Sequence, residues 1–92
     1  MVGICEVYLH LSGVSSLKGK RKIIKSLKDR IRSRFNVSVA EMGSQDKWQS
    51  SVIGVAYLNN DRSRVDEILS LIIKLIESTP EVLISDCKIE IL

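Results

Sequence analysis

Residues 2–11 read VGICEVYLHL, and their side chains alternate between the two faces of an extended chain. One face would carry Gly3, Cys5, Val7, Leu9 and Leu11, which are all small or apolar. The other face is mixed, because a glutamate, a tyrosine and a histidine fall on it. Alternation with a period of two is typical of a β-strand that buries one face. The stretch therefore predicts a first strand that covers a core on one side.

The residues after this strand carry apolar side chains at helical spacing. An apolar stripe predicts a helix over about 17–35, and its members are Leu17, Ile24, Leu27, Ile31 and Phe35. Ser15 or Ser16 can cap the start of this helix. Two further strands are predicted at residues 36–42 and 50–58, on either side of a loop that contains Trp48.

The second half of the chain repeats the order of the first. Ser63 and Asp66 resemble a capping box and predict the start of a second helix, and Pro80 marks its end. A last alternating strand covers residues 82–92. Two strand-helix-strand units in one chain predict a ferredoxin-like α+β sandwich of βαββαβ order. Residues 1–92 would form this single domain, with a four-stranded antiparallel sheet and both helices on one of its faces.

The composition indicates which classes of protein and which cellular locations are consistent with this chain. With 92 residues and 45% hydrophobic side chains, the chain suits one small core and excludes an enzyme with an interdomain cleft. Cys5 and Cys87 are too few for a disulfide scaffold, and they are predicted to be buried thiols on neighbouring strands. No signal peptide or membrane span is visible, because the longest apolar stretch, residues 68–76, is short. The expected location is the cytoplasm.

Basic residues are concentrated in the first predicted helix. Nine of the 14 lysines and arginines lie between residues 18 and 34, where Asp29 is the one acidic residue. Residues 1–45 carry nine basic and three acidic side chains (net +6), and residues 46–92 carry five and eight (net −3). The segregation predicts a surface for an anionic partner, with RNA or the ribosome favoured. The predicted phosphate contacts are Lys18, Lys20, Arg21, Lys22, Lys25 and Arg32. The alternative is a solvated helix face on which Asp29 pairs with Lys25 or Arg32.

The sheet face away from the helices is the second candidate surface. If Tyr57 points the same way as Tyr8, this open face carries an apolar patch of Ile4, Tyr8, Ile53, Val55 and Tyr57. Such a patch predicts a homo-oligomer, most simply a dimer, or a protein or small-ligand site. The alternative orientation of the third strand buries Ile53, Val55 and Tyr57 under the helices. RNA-recognition domains share this topology, but their basic and aromatic motif is absent from residues 50–58.

The inventory of catalytic and metal-binding side chains is small. His10 is the single histidine, and it lies on a strand without a marked partner. Together with Cys5 and Cys87 it could supply three zinc ligands at most, without zinc-site spacing. The sequence therefore predicts no catalytic residue, no metal and no cofactor. An enzyme would need Glu6, His10 or Glu41 to share a cleft, and this hypothesis ranks last.

A cluster around the second strand is the most suggestive local arrangement. Glu41 ends that strand, and Asp46 and Trp48 follow in the next loop. An indole in a loop can anchor a partner. Equally, Trp48 could cover the end of the core while Glu41 pairs with a basic residue.

Three motifs occur in order along the chain: SLKGKR at 16–21, FNVSVAE at 35–41 and QDKWQ at 45–49. In these motifs the sequence resembles the YlxP-like family, small bacterial proteins of unknown function, over essentially its whole length. The resemblance implies a ferredoxin-like fold. It also implies a link to RNA or the ribosome, because family genes often neighbour those of translation initiation and ribosome-binding factors. It implies no established activity.

Overall fold

Six secondary-structure elements follow one another in a computed structural model that describes residues 1–44 and 47–92. They are β1 (Val2–Leu11), α1 (Leu17–Arg34), β2 (Ser38–Gly43), β3 (Ser50–Leu58), α2 (Arg62–Glu77) and β4 (Val82–Ile91). The four strands form one sheet in the order β2-β3-β1-β4, and every neighbouring pair is antiparallel. The predicted ferredoxin-like α+β architecture is therefore confirmed.

The helix starts show which caps the chain uses. The Ser16 hydroxyl accepts a 3.0 Å hydrogen bond from the Gly19 amide and caps α1, as the sequence predicted. The second helix begins earlier than the Ser63 start predicted from its capping-box pattern. Its cap is Asp61, whose carboxylate accepts hydrogen bonds from the Ser63 amide and hydroxyl. These bonds lower the pKa of Asp61.

The core lies between the sheet and the two helices. The apolar face of β1 is fully buried there, together with the helical stripes of α1 and α2. The closest approach is at Gly3, where an added Cβ would lie 2.3 Å from Cγ1 of Val65. A glycine at this position therefore lets α2 pack directly on the sheet.

The predicted orientation of the third strand is wrong. Ile53 and Val55 are 0% and 1% exposed, because they lie opposite Val7 and Cys5 of β1 on the helix-covered face. Directly opposed residues of antiparallel strands share a face, and Tyr57 lies opposite Gly3 on that same side. These three residues therefore leave the open sheet face, and the alternative orientation given above is the correct one.

Neither helix of the described chain has the length and apolar character that a membrane crossing requires.

Candidate functional site

The first two turns of α1 carry three solvent-exposed cations. Lys18, Arg21 and Lys22 are exposed, and among the described residues no hydrogen bond or ion pair engages them. No acidic residue lies in the first turn. The positive end of a helix dipole is at its N-terminus and acts within the first turn, so the cation of Lys18 raises the energy of the helix. Helix stability therefore does not explain why a cation occupies this position.

The C-terminal half of α1 is electrostatically more balanced. The Asp29 carboxylate lies 2.8 Å from Lys25 Nζ and 3.7 Å from Arg32 Nη1. The hydrogen bond from Lys25 is the main cause that lowers the pKa of Asp29, so this carboxylate is ionised at neutral pH. Arg32 also donates a 2.9 Å hydrogen bond to the carbonyl of Val39 on edge strand β2. Lys25 and Arg32 thus retain exposure but share their charge with protein groups.

Lys20 does not belong to this surface, and its predicted phosphate contact is wrong. Its side chain is buried on the core stripe of α1, three positions after Leu17 and four before Ile24. Its Nζ lies 3.0 Å from Oε2 of Glu41 and donates a hydrogen bond to the carbonyl of Ser44. We therefore define the α1 cationic surface as Lys18, Arg21, Lys22 and Lys25, with Arg32 at its far end.

The ion pair of Lys20 belongs to a polar network beneath the first turn of α1. Glu41 Oε2 accepts a 2.6 Å hydrogen bond from the hydroxyl of Ser51, which is itself buried. Through Ser44 the network also holds the start of the β2–β3 loop, where Ser44 adopts a φ of 61°. Glu41 thus pairs with a basic residue, as the structural alternative predicted. Sequence reasoning missed the roles of Ser44 and Ser51.

The open sheet face is divided into an apolar and an acidic half. In the apolar half, Met42 of β2 and Leu58 of β3 are more than half exposed, whereas Leu83, also more than half exposed, lies on β4. Met42 lies over Gly54, where an added Cβ would be 2.6 Å from Met42 Cγ. Toward β4 the cross-strand partners of β1 are mostly charged: Ile4 faces Glu90, Glu6 faces Lys88 and Tyr8 faces Asp86. Of the predicted patch, Ile4 and Tyr8 remain on this face.

The two tyrosines do not form a stacking platform. Tyr8 lies on the open face, where Lys88 Nζ is 5.2 Å from its ring centroid and its hydroxyl is 3.5 Å from Glu6 Oε2. Tyr57 lies on the opposite face and accepts a 3.0 Å hydrogen bond from Asn59. Base stacking across strands one and three, as in RNA-recognition domains, has no counterpart on this sheet.

Trp48 lies at the end of the sheet near the start of α1. Its side chain is 49% exposed and stands apart from the core. It borders a cavity of about 520 Å³ together with His10, Lys47, Gln49 and Ser50. Asp46, predicted to act with Trp48, lies outside the described residues.

Potentially catalytic groups are spread over both faces of the sheet. Glu6 and His10 lie on the open face, whereas Glu41 lies beneath α1, so these three residues do not share a cleft. Cys5 and Cys87 are free thiols with their sulfurs 3.6 Å apart. Burial is the main cause that raises the pKa of Cys5 to about 12, so this thiol stays protonated. Cys5 is buried as predicted, and Cys87 is half-buried.

Structural comparison identifies designed proteins of the same fold. The de novo designed protein Foldit4 is similar over all of this chain and 99% of its own, with a TM-score of 0.63 and 13% identity. The de novo designed protein LFR1 1 with ferredoxin fold matches all of this chain and 87% of its own, with a TM-score of 0.53 and 11% identity. At such identities the likeness shows the fold alone.

Sequence comparison identifies natural relatives. The uncharacterized protein YlxP of Bacillus subtilis (strain 168) is 34% identical over 82 residues, which cover 89% of each chain. Residues 2–89 match the family described as protein of unknown function DUF503. Neither comparison indicates a catalytic activity. The YlxP-like resemblance is thus confirmed, and the chain belongs to the DUF503 family.

Proposed function

We propose that this protein is a cytoplasmic RNA-binding module, acting on RNA alone or on the ribosome, which contacts the phosphate backbone through the α1 cationic surface. One observation carries the proposal. Lys18, Arg21 and Lys22 are exposed in the first two turns of α1, and no described acidic side chain neutralises them. Lys18 opposes the helix dipole, and Lys18 repels Arg21 and Lys22 at helical spacing, so an anionic partner is the better explanation of this arrangement.

The shape of the surface suits a phosphate backbone. At about 1.5 Å per residue, the helix carries these cations from Lys18 to Lys25 over roughly 10 Å, and to Arg32 over roughly 21 Å. Backbone spacing in nucleic acids places several phosphates along such a length. The open sheet face suits RNA less well, because Glu6, Asp86 and Glu90 lie on it.

Charge reversal at the start of α1 tests this proposal. The Lys18→Glu/Lys22→Glu variant should bind a fluorescein-labelled oligouridylate at least about tenfold more weakly than the native protein, measured by anisotropy. Neither lysine has a described partner, and a glutamate at position 18, in the first turn, favours the helix dipole. The variant should therefore unfold at an equal or slightly higher temperature, so weaker binding cannot be attributed to unfolding.

The matched control reverses two charges on the other helix. Arg62 and Lys74 are exposed on α2, where Arg62 is 3.9 Å from Asp66. Arg62→Glu/Lys74→Glu changes the net charge by the same amount and should retain most of the affinity. Equal losses in the two variants would show a response to net charge alone and would contradict a site on α1.

A second candidate function is self-association through the apolar half of the open sheet face. The observation that favours it is the exposure of Met42 (63%) on β2 and Leu58 (73%) on β3, on the side of the open face away from the charged residues of β4. Exposed apolar side chains on one sheet face are typical of interfaces.

Sedimentation velocity over a range of concentrations tests this second candidate. The native chain should show a concentration-dependent dimer, and Met42→Lys/Leu58→Lys should sediment as a monomer. Leu71→Lys on α2 is the control, because Leu71 is exposed away from the sheet. A native monomer at every concentration would contradict self-association.

A further inference from the structure

Trp48 is held in place by the backbone on both sides although its side chain is outside the core. On one side, the Ser44 carbonyl accepts hydrogen bonds from Lys20 Nζ and, at 3.1 Å, from the Lys47 amide. On the other, the Leu11 amide donates a 2.9 Å hydrogen bond to the Gln49 carbonyl. Hydrogen bonds of the neighbouring residues Lys47 and Gln49 therefore position Trp48, whose indole keeps half of its surface exposed.

Singly exposed apolar side chains are common on protein surfaces, and the groups that surround Trp48 are what distinguish it. The other residues that line the cavity beside it are His10, Lys47, Gln49 and Ser50, whose side chains are an imidazole, an ammonium, an amide and a hydroxyl. His10 and Ser50 are cross-strand partners of β1 and β3, so the sheet fixes this wall. An aromatic face, two basic groups and hydrogen-bonding groups are the chemistry that takes an unstacked base and its phosphate.

The cavity lies at the same end of the molecule as the α1 cationic surface. The first strand ends at Leu11, α1 begins at Leu17 and β3 begins at Ser50. Lys20, in the first turn of α1, bonds the loop that leads to Trp48. The wall of His10 and Ser50 lies on the open sheet face, so an RNA strand that contacts Lys18 and Arg21 would pass around this end of the sheet to reach Trp48.

We propose that Trp48 stacks on an unpaired nucleobase of the RNA whose phosphates contact α1, so that the protein prefers single-stranded RNA to duplex. This inference rests on the proposed function. Both faces of a base in a duplex are covered by neighbouring bases, whereas an unpaired base can leave its stack and lie on an indole.

Intrinsic fluorescence tests the inference directly, because the chain has a single tryptophan. Titration with an unlabelled single-stranded oligoribonucleotide should quench the emission of Trp48, and the same strand annealed to its complement should not. Trp48→Ala should weaken single-strand binding by about tenfold and leave duplex binding unchanged. Trp48→Phe retains an aromatic face and should keep most of the affinity.

The outcomes separate this inference from the proposed function. If the native protein binds the single strand without quenching, and Trp48→Ala binds equally well, stacking is wrong while binding through α1 stands. Equal affinity of the native protein for strand and duplex would also overturn the inference. If the native protein binds neither RNA, both proposals fail. Circular dichroism of Trp48→Ala should match the native protein, because the exposed indole contributes little to the core.

Discussion

Lys20→Met is expected to lower the free energy of unfolding by about 3–5 kcal/mol, because it removes one partner of a buried ion pair. The lysine is fully buried, 3.0 Å from Glu41, and it also bonds the Ser44 carbonyl. Methionine keeps an apolar chain of similar volume, so the loss would come from the charge and its hydrogen bonds. Domains of this size have roughly 5–15 kcal/mol of stability, so urea unfolding should shift clearly.

Two further variants make this result specific. Lys25→Met removes an exposed lysine that pairs with Asp29 and should cost less than about 1 kcal/mol. Lys20→Met/Glu41→Leu replaces both buried charges and should recover much of the loss, because an apolar pair of similar volume avoids the desolvation penalty. If Lys20→Met unfolded at the same urea concentration as the native protein, the buried network would not stabilise this fold.

Ile53→Lys should prevent folding, whereas Val52→Lys on the adjacent position should be tolerated. Ile53 is fully buried opposite Val7, so a lysine there would place an uncompensated charge in the core at a cost of several kcal/mol. Val52 lies opposite Tyr8 on the open sheet face and is half-buried, so a lysine can reach water from it.

Circular dichroism and thermal melting of the two variants measure this difference. A folded Ile53→Lys protein together with an unfolded Val52→Lys protein would reverse the orientation of β3. The pair therefore tests the feature of the fold that sequence reasoning assigned wrongly.

The orientation of β3 could not be read from the sequence because the strand does not alternate. Between residues 52 and 57 the side chains on both faces are apolar or small. The pattern therefore does not show which face is buried. Tyr57 suggested a solvent-exposed face, but its ring packs at the border of the core. Pairing with β1 determines the buried face, because Val7 lies opposite Ile53 and Gly3 lies opposite Tyr57. By contrast, β1 alternates strictly, and its buried face was predicted correctly.

Lys20 shows that a helical stripe can be more informative than the charge of a residue. Lysine side chains are almost never fully buried, so the residue type predicted a surface position for Lys20. Nevertheless, Lys20 falls between Leu17 and Ile24 on the apolar stripe, and that spacing was a signal of burial. Its acceptors could not be predicted, because Glu41 and Ser44 come close only once β2 packs beneath α1.

The most direct test of the central claim is the salt dependence of single-stranded RNA binding by the native protein and by Lys18→Glu/Lys22→Glu. Each phosphate contact contributes roughly 0.7 to the slope of log Kd against log salt concentration, so four or five contacts predict a slope of about 3. The variant should lose at least about 1.4 of this slope along with its affinity. No binding at low salt, or a slope that the variant leaves unchanged, would contradict a phosphate-binding surface on α1.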